Sequence, residues 1–225
     1  MLRLTCRWMI ALLLAGTPAL ALAQDTTCRG GLFTRDGDFA QAQVITARAF
    51  FHEDVDGCPA SGDCRKRSFV IAGDQLVIDG RRIGGFVCAF YPNDSGGTAG
   101  WIEASRLRMM ASDAAPPRQR WEGAWTDGAS ADVQIASTGS ATIITGNAFW
   151  PARPEENEWI SIHIGEVGGA LSIAGNRATY GDDNLCELEL TLLRDFLLIA
   201  DNRQCGGANV TFSGVYTRAN QRDRS

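Results

Sequence analysis

Six cysteines stand behind a short apolar leader, and how they pair constrains this chain more than any other feature. The leader reads "MLRLTCRWMIALLLAGTPALALAQ". Arg3 and Arg7 give it a basic start, and Met9 to Ala15 is an apolar run too short to span a bilayer. Ala21-Leu22-Ala23 is a small-x-small cleavage site. These marks predict a secretory signal over residues 1–23, cut before Gln24. Cys6 leaves with the signal, and Cys28, Cys58, Cys64, Cys88, Cys186 and Cys205 remain. An even count behind an export signal predicts a disulfide framework in an oxidising compartment, periplasmic or secreted. No later stretch is long and apolar enough to cross a bilayer, so no membrane insertion of the mature chain is expected.

Charge narrows the partner class. Cutting after residue 23 removes two arginines and no acid, leaving 19 basic and 26 acidic side chains, a net charge of −7. A nucleic-acid binder usually carries a basic footprint, so none is expected here. Lys66 is the only lysine.

Residues 111–120, "ASDAAPPRQR", place paired prolines among small and polar residues, which predicts an extended linker. It divides the mature chain into a first domain over 24–110 and a second over 121–219. The polar residues 220–225 read as a frayed tail. With that division four cysteines fall in the first domain and two in the second. Of 15 possible pairings only three survive, and Cys186–Cys205 is in all of them. That bridge would contribute roughly 3 kcal/mol in the chain-entropy model. It also decides the character of Cys205. A thiol beside Gly206-Gly207 can look like a nucleophile, but a nucleophilic cysteine needs a base, and the mature chain has only His52 and His163.

Neither half shows a helical period. Short alternating or β-branched segments recur between Gly, Asn and Asp, from "SFVIAG" and "GFVCAFY" to "ADVQIA", "ATIITGNAFW" and "CELELTLL". The spacing predicts an all-β chain of sandwiches or barrels.

In the first half, "ARAFFHE" reads as a strand entering a long loop, "SFVIAGDQLVI" as a turn bent at Gly73-Asp74, and "GFVCAFYPNDSGGTAGWIEASRL" as a hairpin leading to Gly100-Trp101-Ile102 and a short helical turn. In this order the pieces over residues 43–110 resemble bacterial Src-homology-3-like domains. The resemblance implies a small barrel that binds peptide or cell-wall stems, with exposed aromatics as contact surface. Phe51, Tyr91 and Trp101 are its groove candidates, and the alternative is that all three fill the barrel. The loop "HEDVDGCPASGDC" is longer than the pattern needs. A local Cys58–Cys64 bridge would pin it, and Cys28 could then reach Cys88. His52-Glu53-Asp54-Val55-Asp56-Gly57 resembles part of a calcium loop but lacks the third acid and the bidentate glutamate. It reads as a solvated acidic loop, and no metal or other cofactor is expected.

The second half opens on Trp121-Glu122-Gly123-Ala124-Trp125 and ends on Val210, Phe212, Gly214, Tyr216 and Arg218, spaced by two along one face. A Gly-x-Trp on the first strand with an arginine on the last resembles the calycin or lipocalin-like barrel signature. That resemblance implies a closed barrel with Arg218 over Trp125 at one end, a cation–π pair. The ending "ADNRQCGGANVTFSGVYTR" is similar to C-terminal domains of uncharacterised exported proteobacterial proteins, some of which resemble or accompany lysozyme-inhibitor-like proteins. "EWISIHIG" alternates, with Ile160, Ile162 and Ile164 expected toward the core and Trp159, Ser161 and His163 away from it. Ser161 and His163 would then stand about 7 Å apart, too far for direct proton transfer. In "WPARPEENEW", Trp150 and Trp159 flank a charged loop and are candidate contact residues. Glu155, Glu156 and Glu158 read as solvated.

The expected molecule is therefore a Src-homology-3-like small barrel followed by an antiparallel β-barrel or sandwich. Its expected role is an exported bacterial, non-enzymatic binding protein with a cell-envelope partner: a peptide, peptidoglycan or a protein. Two other roles stand beside it. One is a periplasmic inhibitor or immunity protein against a lysozyme-like hydrolase, steered to basic lysozymes by its negative charge. The other is a carrier of a small apolar ligand in the second barrel.

Overall fold

A computed structural model describes residues 28, 37–93, 96–151 and 162–219. The expectations for the signal, for Trp159, Ile160 and Ser161, for Glu155, Glu156 and Glu158, and for the tail fall outside these residues. Among the described residues the chain is all-β, with two antiparallel sheets and only short 3-10 turns. No helix there is long and apolar enough to cross a membrane.

The first sheet holds β1 (Phe39–Val44), β2 (Ala49–His52), β3 (Arg65–Val70), β4 (Gln75–Ile83), β5 (Phe86–Tyr91), β6 (Thr98–Glu103) and β7 (Leu107–Met109). Its spatial order is β3-β2-β6-β5-β4-β1-β7, so β3 is an edge. The second sheet holds β8 (Gly123–Thr126), β9 (Ala131–Thr138), β10 (Ala141–Pro151), β11 (Ile162–Ala170), β12 (Ser172–Ala174), β13 (Arg177–Gly181), β14 (Glu187–Leu193), β15 (Phe196–Asp201) and β16 (Gly214–Arg218). Its order is β11-β10-β9-β8-β16-β15-β14-β13-β12, a nearly closed barrel. The Tyr180 hydroxyl bridges the seam from β13, accepting from the Gly168 amide of β11 at 3.3 Å and donating to Asp182 at 3.0 Å.

Period-two alternation builds the second barrel. In β9, Ala131, Val133 and Ile135 are buried while Asp132, Gln134 and Ala136 are exposed. The inward residues meet Trp121, Trp125, Leu188, Leu190, Leu197, Phe212 and Tyr216, so the described interior is packed with side chains. The stretch 210–218 is strand only from Gly214 onward. Val210 and Phe212 stay buried without a ladder because Asp201 replaces it. Its carboxylate accepts from the Phe212 amide at 2.6 Å and from the hydroxyls of Thr211 and Ser213 at 2.9 and 3.0 Å.

The two sheets share no ladder, but they share a core. The first barrel's own interior is Ala42, Val44, Phe51, Leu76, Ile78, Val87 and Ile102. Intervening residues on β4, β5 and β6, Val77, Cys88, Phe90 and Trp101, face the other way. They pack against Leu193, Phe196, Leu198 and Val215 of the second barrel. These strands are buried on both faces, which is why "FVCAFY" and "FLLIAD" are continuous apolar runs rather than alternating ones. A polar clasp borders the contact. The Gln41 amide nitrogen donates to the Asp195 carboxylate at 3.0 Å, and the Asp195 backbone amide donates back to the Gln41 side-chain oxygen at 3.3 Å.

Three disulfides brace the fold: Cys28–Cys88, Cys58–Cys64 and Cys186–Cys205. They fit an oxidising environment. Cys28–Cys88 lies within the shared core, and Cys58–Cys64 closes the long loop after β2.

Candidate functional site

The aromatic groove expected on the first barrel is not an open surface. Phe51 and Trp101 are each 1% exposed, and Tyr91 is half-buried. Phe51 belongs to the interior of the small barrel, whereas Trp101 is sealed beneath the second barrel. Burial, with Asp74 nearby, raises the Tyr91 pKa above its ordinary value. Two acids of the following loop have partners. Trp101 donates its indole N–H to Asp54 at 2.8 Å, and Glu53 pairs with Lys66 at 3.3 Å. Among the described residues no cluster of His, Cys, Asp and Glu is placed to hold a metal ion.

The two histidines and the cysteine weighed from the sequence lie in three different settings. Cys205 is bonded to Cys186. His52 is buried with its ring 4.8 Å from that of Phe86. His163 donates its Nδ1 proton to the Ala208 carbonyl at 2.6 Å.

At one end of the second barrel the Arg218 guanidinium carbon lies 4.0 Å from the Trp125 ring centroid. Arg218 also donates to the carbonyls of Glu122 and Arg120. Burial, with Arg120 nearby, lowers its pKa below the ordinary value. Gly123 makes the approach possible: a Cβ there would come within 2.4 Å of the guanidinium, and its φ is +125°. The pair sits at the end of the barrel, with the Trp125 ring buried and Arg218 half-buried over it.

One surface that stands open is the tip formed by β10 and β11. The register pairs Phe149 with Ile164, Trp150 with His163 and Pro151 with Ile162. Ile162 and Ile164 are 58% and 59% exposed, and Phe149 and Trp150 are each 46% exposed. This corrects the expected facing of "EWISIHIG": Ile162 and Ile164 point outward, and His163, Gly165 and Val167 take the inner face. The reason lies far along the chain. The segment after Cys205 crosses the inner face of β11, and a Cβ at Gly165 would sit 2.2 Å from the Cys205 carbonyl oxygen. The Gly207 amide bonds the Ile164 carbonyl at 3.1 Å. Only glycine fits under that crossing at position 165, so the flanking isoleucines, Ile162 and Ile164, take the outer face.

The tip thus wraps apolar side chains around both faces of an edge hairpin. Phe149, Ile162 and Ile164 lie outside, and Trp150 shares the inward parity of buried Ile144 and Ala148. By contrast, exposed Val55 and Leu185 stand singly on loops. Of the contact residues expected from sequence, Trp150 lies here. Phe149, Ile162 and Ile164 were missed, because parity alone put the isoleucines inside. Comparisons with protein-family models, curated proteins and solved structures give no match.

Proposed function

We propose that this chain is an exported bacterial binding protein that holds a protein partner of the cell envelope through the apolar tip of its second barrel. The observation that carries the reading is the in-register cluster of Phe149, Trp150, Ile162 and Ile164, open to solvent on an edge hairpin. Contiguous exposed apolar side chains of this kind mark contact sites in soluble proteins. Fully burying one such side chain contributes roughly 1.5–3 kcal/mol, so half-exposed members would each contribute about half of that. Export is part of the reading: the leader marks a periplasmic or secreted destination, and three disulfides suit it. The filled interior of the second barrel favours surface binding over carriage of a ligand inside it.

The test compares wild type with a Trp150→Ser/Ile164→Ser variant in three assays. These are capture from envelope extract, sedimentation with purified peptidoglycan, and titration against lysozyme activity. A partner retained by wild type and lost by the variant supports the reading. Retention of the same partner by both, or the absence of any partner, contradicts it. Loss of lysozyme activity that depends on the tip would identify the partner as a hydrolase.

A further inference from the structure

The first barrel carries a second exposed surface that the apolar tip does not explain. On β2 and β3, Phe50 and Phe69 are cross-strand partners with ring centroids 5.6 Å apart. Arg48 lies over the Phe69 ring and Arg65 over the Phe50 ring, each with its guanidinium carbon 4.8 Å from the centroid. Arg67 is exposed and shares strand parity with Arg65 and Phe69. Three guanidinium groups and two phenyl rings therefore share one face at the edge of the first sheet. Phe69 is 42% exposed.

Charge and topology together describe what fits this face. The mature chain is strongly acidic, yet among the described residues no carboxylate lies within ion-pair distance of Arg48, Arg65 or Arg67. The nearby Glu53 is paired with Lys66, which has the opposite parity on β3. Stacking fixes the planes of two guanidiniums and leaves their N–H edges free, and the planar fork of donors matches a carboxylate. Arg65 and Arg67, two residues apart on one face, repel each other, and an anion between them would relieve that repulsion. Among the described residues strand β3 is paired on one side only, which leaves its outer backbone edge as a place for pairing. Positive side chains on an edge strand discourage pairing with neutral or basic strands. An acidic strand reverses the sign of that effect, so the arginines act as a filter.

We propose that the outer edge of β3 binds an extended acidic peptide segment of a protein partner by strand addition. Its alternate carboxylates would meet Arg65 and Arg67, and its apolar residue would cover Phe69. This site is on the other barrel from the apolar tip and does not depend on the function proposed there.

The probe is a fluorescein-labelled ten-residue peptide with Glu, Glu and Val at successive alternate positions and Thr between them, so that all three share one strand face. The same peptide with Lys for Glu, and inorganic polyphosphate, are the rivals. Binding is read by fluorescence anisotropy on the full mature chain, and its location by amide hydrogen exchange. The expected result is binding of the acidic peptide alone, with slowed exchange at backbone amides within residues 65–70. Arg65→Glu/Arg67→Glu should weaken it at least tenfold, Arg65→Gln/Arg67→Gln should weaken it less, and Arg177→Glu should leave it unchanged. The Gln pair covers the case in which charge reversal perturbs folding. Trp150→Ser/Ile164→Ser should bind the peptide as wild type does, which separates this site from the tip. Three results would overturn the proposal: no peptide binding, binding indifferent to the charge at 65 and 67, or polyphosphate binding in place of the peptide. The last would mark a general polyanion surface.

Discussion

Replacing Arg218 with alanine removes a specific set of contacts at the closed end of the second barrel. The guanidinium stacks on Trp125 at 4.0 Å and donates to two backbone carbonyls, those of Glu122 and Arg120. A cation–π contact between exposed and desolvated is worth about 0.5–2 kcal/mol. Hydrogen bonds from a charged donor are worth roughly 1.5–3 kcal/mol each when buried. Here the rim is half open, so water can reach the freed carbonyls and the lower end applies. The expected loss is about 3.5–5 kcal/mol. For a chain of this size each kcal/mol moves the melting temperature by about 2–4 °C, so Arg218→Ala should melt roughly 7–20 °C lower. Arg218→Lys keeps the charge but not the fork, and should recover less than half of the loss. The assay is thermal unfolding followed by tryptophan fluorescence, with Arg177→Ala, an exposed residue of β13, as control. Equal melting temperatures for Arg218→Ala and Arg177→Ala would refute the closing role.

Three further outcomes follow from the packing. Tyr216 is fully buried, its hydroxyl donates to the Phe212 carbonyl at 2.8 Å, and burial with Asp127, Asp201 and Asp132 holds its pKa well above the usual value. A folded pKa above the unfolded one gives stability that is complete below about pH 10 and is lost as pH rises through the folded value. Tyr216→Phe should therefore cost about 1 kcal/mol at neutral pH but close that gap or cross over in denaturant titrations above pH ~10. Gly165→Ala should destabilise the second barrel by about 1–3 kcal/mol or more, because its Cβ meets the Cys205 carbonyl at 2.2 Å, and a melting temperature equal to wild type would contradict the crossing. Leu198→Ala, at the contact between barrels, should cost about 2–5 kcal/mol and speed hydrogen exchange in β4 to β6 as well as in β15, and an effect confined to β15 would show that the barrels are not coupled.

Much of the strand content could be read from local pattern. "ADVQIA" alternates because one face of β9 meets the barrel interior and the other meets water, and the structure follows it residue by residue. The run "QVITARAFF" looks like one strand by composition but spans a break, with β1 ending at Val44 and β2 starting at Ala49. Local pattern could not supply features set by distant chain. "FVCAFY" and "FLLIAD" are apolar on both faces, which signals double burial but does not say that each strand covers the other's barrel. Trp101 therefore looked like a groove residue when its outward face was already covered. The inversion of β11 needed the crossing at Gly165, which is set by the position of Cys205 and the segment that follows it. The arginine–phenylalanine face depends on the β2–β3 register, which shifts between Phe50 and His52, and no one-dimensional reading gives that pairing.

The apolar tip is the centre of the functional account, and site-specific photo-crosslinking tests it most directly. A photoreactive phenylalanine analogue is placed at position 164 in the exported protein and irradiated in intact cells, with position 177 as the reference. The account requires one discrete adduct from position 164 and none from position 177. Silence at 164, or the same adducts from both positions, would contradict it.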